Sequence, residues 1–279
     1  LVPFGGADFA GIFHLMNHAA FKALLFLVAG GLLHATDTKD MFEMGGIRRA
    51  VPKTFAAMLI GALALSGIPP FSGFWSKDSI IGYTWEFSST DPVLGLLLFT
   101  FSVASAAITL FYSLRMIGLS FLGGKSKHIK EVEKEGHEIR DPGWRMMLPV
   151  IALAVFSIVG GFLGPLINNY FGQSDYTYAT VLAELTSVPS IMTLFALALG
   201  GIPAYFLYMR RSFDPAKLSS KPVIRGIHRF FSNRWYVNSA YYKILNGFIG
   251  FSNKLFRKGE VSGLEGFNTK LPGFTLKVS

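Results

Sequence analysis

The chain has 279 residues, of which 51% are hydrophobic and only 15% are charged, and its mean hydropathy is +0.42. This composition is too apolar for an ordinary soluble protein of this length and predicts a membrane protein. The sequence contains no cysteine, which excludes disulfides, iron–sulfur clusters and thiol nucleophiles, so any redox centre must belong to another subunit. Despite the net charge of +9, no aromatic-interleaved basic patch lies in a soluble module, and we expect no nucleic-acid partner.

Five segments of the chain are apolar over a length that can cross a bilayer. About 20 apolar residues are needed to span the roughly 30 Å hydrocarbon core. The segments run over residues 10–34, 54–87, 93–121, 146–168 and 189–209. The sequence therefore predicts an all-α polytopic membrane protein with about five transmembrane helices.

The second segment is too long for one straight helix across the bilayer. Its roughly 34 residues, at about 1.5 Å each, would reach about 51 Å. Near its middle, Pro69 and Pro70 remove amide donors and disfavour helix in the residues before them. We therefore predict that this helix is discontinuous over Gly67–Gly73. Irregular backbone at membrane depth survives only where protein or water satisfies it, so we expect an enclosed, hydrated point near Lys77.

Basic residues are distributed unevenly among the connecting loops. The loops 36–53 and 121–145 and the chain after residue 209 contain 23 of the 26 lysines and arginines. The connections 88–92 and 168–189 contain none. This alternation fits five crossings. The positive-inside rule then places the basic loops and the C-terminal tail on the cytoplasmic side, or its organellar equivalent.

The chain after residue 210 departs from the transmembrane pattern. Between Pro222 and Lys258, apolar and aromatic residues alternate with arginines and lysines, as in helices that lie in the membrane interface. This pattern fits equally a surface helix packed along neighbouring subunits and a lipid-facing anchor. We therefore divide the chain into a transmembrane region, 1–210, and an interfacial amphipathic segment with its tail, 211–279.

Five ionisable residues lie well inside the apolar segments, away from their ends, where charge is costly: His14, His18, Lys22, Lys77 and Asp78. His14, His18 and Lys22 follow one another at intervals of four, which places them on one helical face, close enough to pass a proton through an intervening water. Lys77 and Asp78 follow the helix break. Both lysines lie too far from the ends of their spans to reach the interface by snorkelling, so we favour proton conduction over a structural role. The histidines could alternatively join helices through hydrogen bonds in their neutral form.

Metal binding is the weaker interpretation of the two histidines. His14 and His18 have the i, i+4 spacing of zinc ligands, but no third ligand lies nearby and Lys22 would place a positive charge one turn away, so we predict no metal site. Acid–base exchange suits the set better, because histidine titrates near neutrality. Asp78 could hold the neighbouring Lys77 ammonium in its charged form. Adjacent helical residues point about 100° apart, however, so Asp78 could instead serve a different helix.

Several motifs resemble those of one membrane-protein family. Residues 14–22, with the sequence HLMNHAAFK, closely resemble the histidine and lysine helix of the largest antiporter-like subunit of respiratory complex I, the NADH dehydrogenase subunit 5 family. Residues 64–78, ALSGIPPFSGFWSKD, are similar to the second discontinuous helix of that family. Further similarities at 111–115 and 233–237 follow in the expected order.

The resemblance implies a function as well as a fold. In this family the matching histidines and lysine form a central hydrophilic path, so His14, His18 and Lys22 would relay protons along the membrane plane. Lys77, with Asp78 beside it, would be the terminal exchange site toward the far side of the membrane. The chain would then be a proton-translocating subunit of a complex I-type oxidoreductase, which passes electrons from NADH or a related donor to quinone, without a redox site of its own.

The resemblance also implies partners and a location. Flavin, iron–sulfur clusters and quinone would lie in partner subunits, so we expect no cofactor in this chain. The partners would be the lipid bilayer of the inner membrane and the other antiporter-like and small membrane subunits. The segment after 233–237 would lead into a lateral helix that runs along those subunits on the cytoplasmic side. Asn238 and Ser239 replace the acidic pair that is usual at this point of the family.

Two other kinds of function share these sequence features. A multisubunit cation/proton antiporter or a membrane-bound hydrogenase-type complex would use the same channel helices, and a structural spacer could retain the charges without using them. The chain begins Leu-Val-Pro, without an initiator methionine. We therefore expect it to be part of a longer protein. The resemblance implies that the preceding residues of that protein carry another discontinuous helix and a glutamate–lysine pair.

Overall fold

The computed structural model describes residues 5–170, 177–179, 183, 185–214 and 222–259, and this part of the chain contains helices and no β-strand. The α-helices are α1 (Gly5–Thr36), α2 (Pro52–Ser66), α3 (Ser72–Phe87), α4 (Pro92–Phe121), α5 (Lys127–Lys134), α6 (Trp144–Val159), α7 (Gly164–Tyr170), α8 (Val188–Ala204), α9 (Pro222–Ser232) and α10 (Val237–Phe256). The predicted all-α class is confirmed for these residues.

Four helical stretches of the described chain are long and apolar enough to cross a membrane. They are Asp8–Thr36, Pro92–Phe121, Trp144–Tyr170 and Val188–Met209. The last of them continues α8 through a π-helical turn, Tyr205–Met209. The chain is therefore a polytopic membrane protein, as predicted. The remaining predicted crossing is divided between α2 and α3.

The helix break between α2 and α3 has a defined backbone geometry. Gly67 adopts a left-handed conformation with φ 78°, and its amide and that of Ile68 bond to the Leu63 carbonyl at 3.1 Å. Glycine is preferred at this position of a helix end. The predicted discontinuity is confirmed, but it is shorter than Gly67–Gly73, because Gly73 already lies in the first turn of α3. Pro69 and Pro70 lie between the two helices and belong to neither of them.

The loops rich in lysine and arginine meet at one end of the helices. The Gly45 amide bonds to the Ser120 carbonyl at 2.9 Å, so the loop after α1 contacts the end of α4. The Arg211 guanidinium donates to the Leu122 carbonyl at 2.8 Å and joins the end of the last span to the same place. The basic loops therefore share one end of the bundle, as the alternation along the sequence predicts.

The connection between α4 and α6 packs against this end. The two apolar residues of α5 are buried, and His128 Nε2 lies 2.8 Å from the Thr36 carbonyl oxygen. Asp141 accepts hydrogen bonds from the amides of Lys53 and Thr54, at 3.0 and 2.9 Å. An aspartate at this position satisfies amides that have no partner within the helix, so Asp141 caps α2 from a distant loop.

Two glycines allow the span made of α6 and α7 to pack closely on the helix break. The two helices are joined by a 3₁₀ turn. A Cβ atom on Gly161 would lie 1.9 Å from Trp75 Cδ1, and one on Gly160 would lie 2.8 Å from Asn17 Oδ1. Trp75 in turn donates its indole N–H to the Pro70 carbonyl at 3.0 Å. This span therefore packs against α1 and the start of α3 and helps to enclose the break.

The chain divides into two compact units, Leu1–Phe213 and Asp214–Ser279. In the second unit, α9 and α10 are joined by a 3₁₀ turn, Arg234–Tyr236, in which Trp235 has φ 59°. The predicted interfacial segment is thus helical over residues 222–259, and the 20 residues of α10 reach about 30 Å. Residues 215–221 and 260–279 of this segment lie outside the described residues. The lateral role of α10 and the assignment of roles to the two regions stay predictions.

Candidate functional site

His14, His18 and Lys22 lie along one face of α1. The helix is continuous through all three residues, so their spacing places each about one turn above the last. The ring centroids of His14 and His18 are 5.7 Å apart. All three residues are half-buried. The column of ionisable groups that the sequence predicts is therefore present in the fold.

A hydrogen bond joins this column to α3. His14 Nδ1 lies 3.0 Å from Ser76 Oγ, and Ser76 Oγ lies 3.3 Å from the Ser72 carbonyl oxygen, to which it can donate. A hydroxyl group can accept one hydrogen bond while it donates another. Ser76 therefore connects two segments that are 62 residues apart in the sequence.

The Lys77 side chain reaches the end of α2 rather than its own helix. Its Nζ donates a hydrogen bond to the Leu65 carbonyl at 2.6 Å. The last carbonyls of a helix have no intrahelical partner and carry the negative end of the helix dipole. A Cβ atom on Gly67 would lie 3.2 Å from Lys77 Cδ, so the glycine leaves room for the lysine stem. The helix break thus supplies an acceptor for an ammonium group at membrane depth.

The fold brings Lys77 into electrostatic range of the α1 column. Lys77 interacts with Lys22 and with both His14 and His18. Such interactions are stronger inside a protein than in water, because the interior has a lower dielectric constant. The charge on Lys77 therefore depends on the charges of the three ionisable groups of α1.

Asp78 faces a different helix from its neighbour Lys77. Ser190, in the first turn of α8, donates a hydrogen bond to Asp78 Oδ2. The Ser187 hydroxyl donates in turn to Ser190 Oγ at 3.1 Å. The positive end of the α8 dipole also favours a carboxylate at this place. Asp78 is 8% exposed, and its Oδ1 has no hydrogen-bond partner in the described part of the chain. Of the two arrangements left open by the sequence, the structure thus has Asp78 serving another helix.

The residues predicted to break the helix have separate geometric roles. Gly67 provides the left-handed end of α2, and Pro69 and Pro70, joined by a cis peptide bond, form the link to α3. Gly73 allows the two half-helices to touch, because a Cβ atom there would lie 1.7 Å from the Ala64 carbonyl oxygen. The break is therefore a close crossing of two helix ends.

The serines of this site were not identified from the sequence. Ser76 and Ser190 join different helices, and Ser187 caps α8 by accepting a hydrogen bond from the Ser190 amide at 3.3 Å. The signal for Ser187 was present, since a serine that precedes an apolar run by one residue marks a helix start. The only indication in the sequence that Ser76 could belong to the site was its position beside Lys77. Together these side chains extend the candidate site from α1 across α3 to the start of α8.

The sequence and the fold are similar to those of known membrane subunits. Residues 6–109 match the family described as NADH:quinone oxidoreductase/Mrp antiporter, transmembrane. NADH-quinone oxidoreductase subunit L of Rickettsia felis is 35% identical over 251 residues, which cover 83% of this chain and 37% of that protein. NADH-ubiquinone oxidoreductase chain 5 of Rhizopus stolonifer is 32% identical over 265 residues, which cover 90% of this chain and 39% of that protein.

A solved structure supports the same relationship at the level of the fold. The Mrp complex from a Dietzia species matches with a TM-score of 0.52 and 23% identity, over 85% of this chain and 25% of that chain. This chain spans about two fifths of the length of the curated relatives that it matches. All five predicted site residues lie within residues 6–109. Residues 6–109 therefore share the NADH:quinone oxidoreductase/Mrp antiporter family, and the chain is similar over most of its length to the antiporter-like membrane subunits of the subunit L and chain 5 type.

Proposed function

We propose that this chain is a proton-translocating membrane part of a complex I-type oxidoreductase that passes electrons from NADH or a related donor to quinone. The observation that carries the proposal is the hydrogen bond of His14 Nδ1 with Ser76 Oγ, at 3.0 Å, which connects the α1 column to α3, the helix that carries Lys77. The similarity to subunits of NADH-quinone and NADH-ubiquinone oxidoreductases supports the same function.

Protons would move along the membrane plane through groups that can both accept and release them. Lys22, His18 and His14 would form the first part of the path, and Ser76 would pass the proton on to Lys77. The Ser76 hydroxyl suits this step, because it can accept a proton from one neighbour as it gives its own to the next. Lys77 would then be the exchange site toward the far side of the membrane.

The energy for this transport would come from outside the chain. Moving one charge fully across a potential of 100 mV costs about 2.3 kcal/mol. The chain contains no cysteine that could bind an iron–sulfur cluster. Flavin, iron–sulfur clusters and quinone would therefore be held by partner subunits, and electron transfer there would change the electric field at Lys22 and Lys77. The chain itself would carry out no redox step.

The same proposal implies partner subunits and a membrane location for the chain. Its partners would be other antiporter-like and small membrane subunits, with α10 packed along them as a lateral helix. The complex would lie in the inner membrane of the cell. The basic loops and the C-terminal segment would face the cytoplasm, because lysine- and arginine-rich loops are retained on that side.

Cation dependence tests the proposal against a multisubunit cation/proton antiporter. The family description covers both kinds of complex. In vesicles that contain the purified complex, we expect NADH or a related donor to drive proton uptake at the same rate in sodium-free and sodium-containing buffer. Sodium-linked transport that proceeds without any electron donor would reject the respiratory function and favour the antiporter.

Replacing Ser76 with alanine should slow proton translocation by the assembled complex several-fold. The variant removes the hydroxyl that links His14 with α3 and leaves both the column and Lys77 in place. Proton uptake per electron transferred is the quantity to measure. Ser157→Ala is a matched control, because Ser157 Oγ donates at 2.8 Å to the Leu153 carbonyl of its own helix. Equal pumping by the two variants would argue that protons bypass Ser76.

A further inference from the structure

The junction between α6 and α7 contacts both of the helices that are linked by His14 and Ser76. It is the 3₁₀ turn Gly160–Leu163. Pro165, at the start of α7, has no amide hydrogen and cannot bond to the carbonyl four residues before it, which is that of Gly161. The Gly161 carbonyl instead accepts from the Gly164 amide, three residues on. The proline therefore replaces an α-helical turn with a tighter one at this point of the span.

Packing fixes this junction against α1. Leu24 of α1 lies in one buried apolar cluster with Val150 and Ala154 of α6. At the junction itself, a Cβ atom on Gly160 would lie 2.8 Å from Asn17 Oδ1, and Asn17 is fully buried in α1. Buried side chains in a close-packed interior have little room to move. The position of the junction relative to α1 is therefore set by these contacts.

Gly161, the next residue of the junction, meets α3 at Trp75. A Cβ atom on Gly161 would lie 1.9 Å from Trp75 Cδ1 and 2.8 Å from Cγ. Gly161 does not have the positive φ that favours glycine, so this close approach is what requires a residue without a side chain. Trp75 itself is 8% exposed, and its indole donates to the Pro70 carbonyl at 3.0 Å. Gly161 thus determines how closely α3 approaches the junction.

Trp75 is the neighbour of Ser76, so a shift of one carries the other with it. The Ser76 hydroxyl lies 3.0 Å from His14 Nδ1. A side-chain contact at about 3.6 Å is no longer a hydrogen bond, so the link tolerates a shift of only about half an ångström. Contacts that set the distance between α1 and α3 therefore decide whether this hydrogen bond forms.

We propose that Gly161 is a positioning residue for proton transfer between His14 and Ser76, and that it acts through Trp75. The packing of α6 fixes the junction on α1, and the backbone of Gly161 sets the distance from the junction to α3. Together they hold the Ser76 hydroxyl within hydrogen-bonding distance of His14. The inference rests on the proposed function for the step that Gly161 serves, whereas the geometry does not depend on that function.

The structure of the assembled complex with Gly161→Ala tests the geometry. Carbon atoms in contact lie about 3.5–4.0 Å apart, so the added methyl group has to separate the junction from Trp75 by about 1.5 Å. We expect electron cryomicroscopy to show that His14 Nδ1 and Ser76 Oγ no longer lie within hydrogen-bonding distance. An unchanged distance would overturn the proposal. Gly30→Ala is the control and should leave the distance unchanged, because an added Cβ at Gly30 meets no atom within 4 Å.

Proton uptake per electron shows whether Gly161 acts through Ser76. Gly161→Ala alone should lower the uptake several-fold, as Ser76→Ala does. In the Ser76→Ala background it should cause no further loss, because residues that serve one step are not additive. A further loss in the double variant would show that Gly161 only supports the fold, and it would overturn the proposal. Normal uptake by Gly161→Ala with the hydrogen bond broken would instead reject the proton route through Ser76 and leave the geometric inference standing.

Trp75→Ala tests the same contact without adding an atom to the junction, so it serves even if the Gly161→Ala complex does not assemble. Without the indole, nothing at position 75 meets Gly161, and α3 is free to shift relative to the junction. We expect proton uptake per electron to fall several-fold and to fall no further when Ser76→Ala is added. Normal uptake by Trp75→Ala, in a complex whose Ser76→Ala variant is defective, would overturn the proposal and leave the proposed function intact.

Discussion

Proton translocation by the assembled complex is expected to be lost when Lys77 is replaced with alanine, while the complex still assembles. Lys77 is the one basic residue of α3, and its Nζ donates to the Leu65 carbonyl at the end of α2. An ionisable group in the membrane interior is costly and rarely present without a function. Alanine cannot hold or release a proton, so the path from His14 through Ser76 would end without an exchange site.

The measurement is proton uptake into vesicles per electron transferred, alongside the rate of electron transfer itself. Lys39→Ala is the matched control, because Lys39 is exposed in the loop after α1. A second variant, Lys77→Arg, separates charge from titration, since arginine keeps its proton at all accessible pH values. We expect Lys77→Arg to be defective as well. Unimpaired pumping by Lys77→Ala would reject Lys77 as the exit site and favour a structural spacer.

Gly73→Ala is expected to disturb both the stability of the helix break and proton translocation. A Cβ atom on Gly73 would lie 1.7 Å from the Ala64 carbonyl oxygen, far inside van der Waals contact. The clash is with backbone, so no side-chain rotation relieves it, and the crossing of α2 and α3 must shift. Overpacking of this kind costs about 1–3 kcal/mol, sometimes more. Lys77 lies one turn further along α3 and would be moved away from the Leu65 carbonyl.

Thermal unfolding of the purified complex and proton uptake per electron together check this prediction. Gly11→Ala serves as the control, because an added Cβ at Gly11 meets no atom within 4 Å and alanine favours the helix. A Tm for Gly73→Ala equal to that of the unchanged complex would show that the half-helices are not in contact at this point. The comparison with Lys77→Ala is informative, because that variant should lose pumping without a comparable loss of stability.

The sequence predicted the features that depend on local covalent chemistry. The two prolines near the middle of the second apolar segment predicted a helix break, since a proline has no amide donor wherever it stands. The predicted break, Gly67–Gly73, was too long because its last residues belong to the start of α3. Nothing in the local sequence shows that Gly73 is needed for a helix crossing rather than for a turn. The spacing of His14, His18 and Lys22 predicted a column for the same kind of reason, since helical periodicity alone determines which side chains share a face.

The partners of these groups could not be predicted in the same way. A serine in an apolar helix usually donates to the carbonyl four residues earlier, as Ser66 and Ser157 do at 2.7 and 2.8 Å. Ser76 also makes this bond, to Ser72, but its hydroxyl contacts His14 of another helix as well, and the Ser190 hydroxyl donates to Asp78. Sequence alone does not distinguish these two cases, because the difference is in the neighbouring helix.

The sequence by itself determined that the chain is helical, crosses a membrane, is interrupted at the proline pair and carries ionisable groups well inside its apolar segments. Composition, periodicity and the cost of burying charge suffice for these conclusions. Only the tertiary structure decided where the charges point. It directs Lys77 to the end of α2 and Asp78 to the start of α8, although the two are adjacent in the chain. The physical reason is that neighbouring side chains diverge around a helix, so their contacts depend on which helix ends the fold brings to each side.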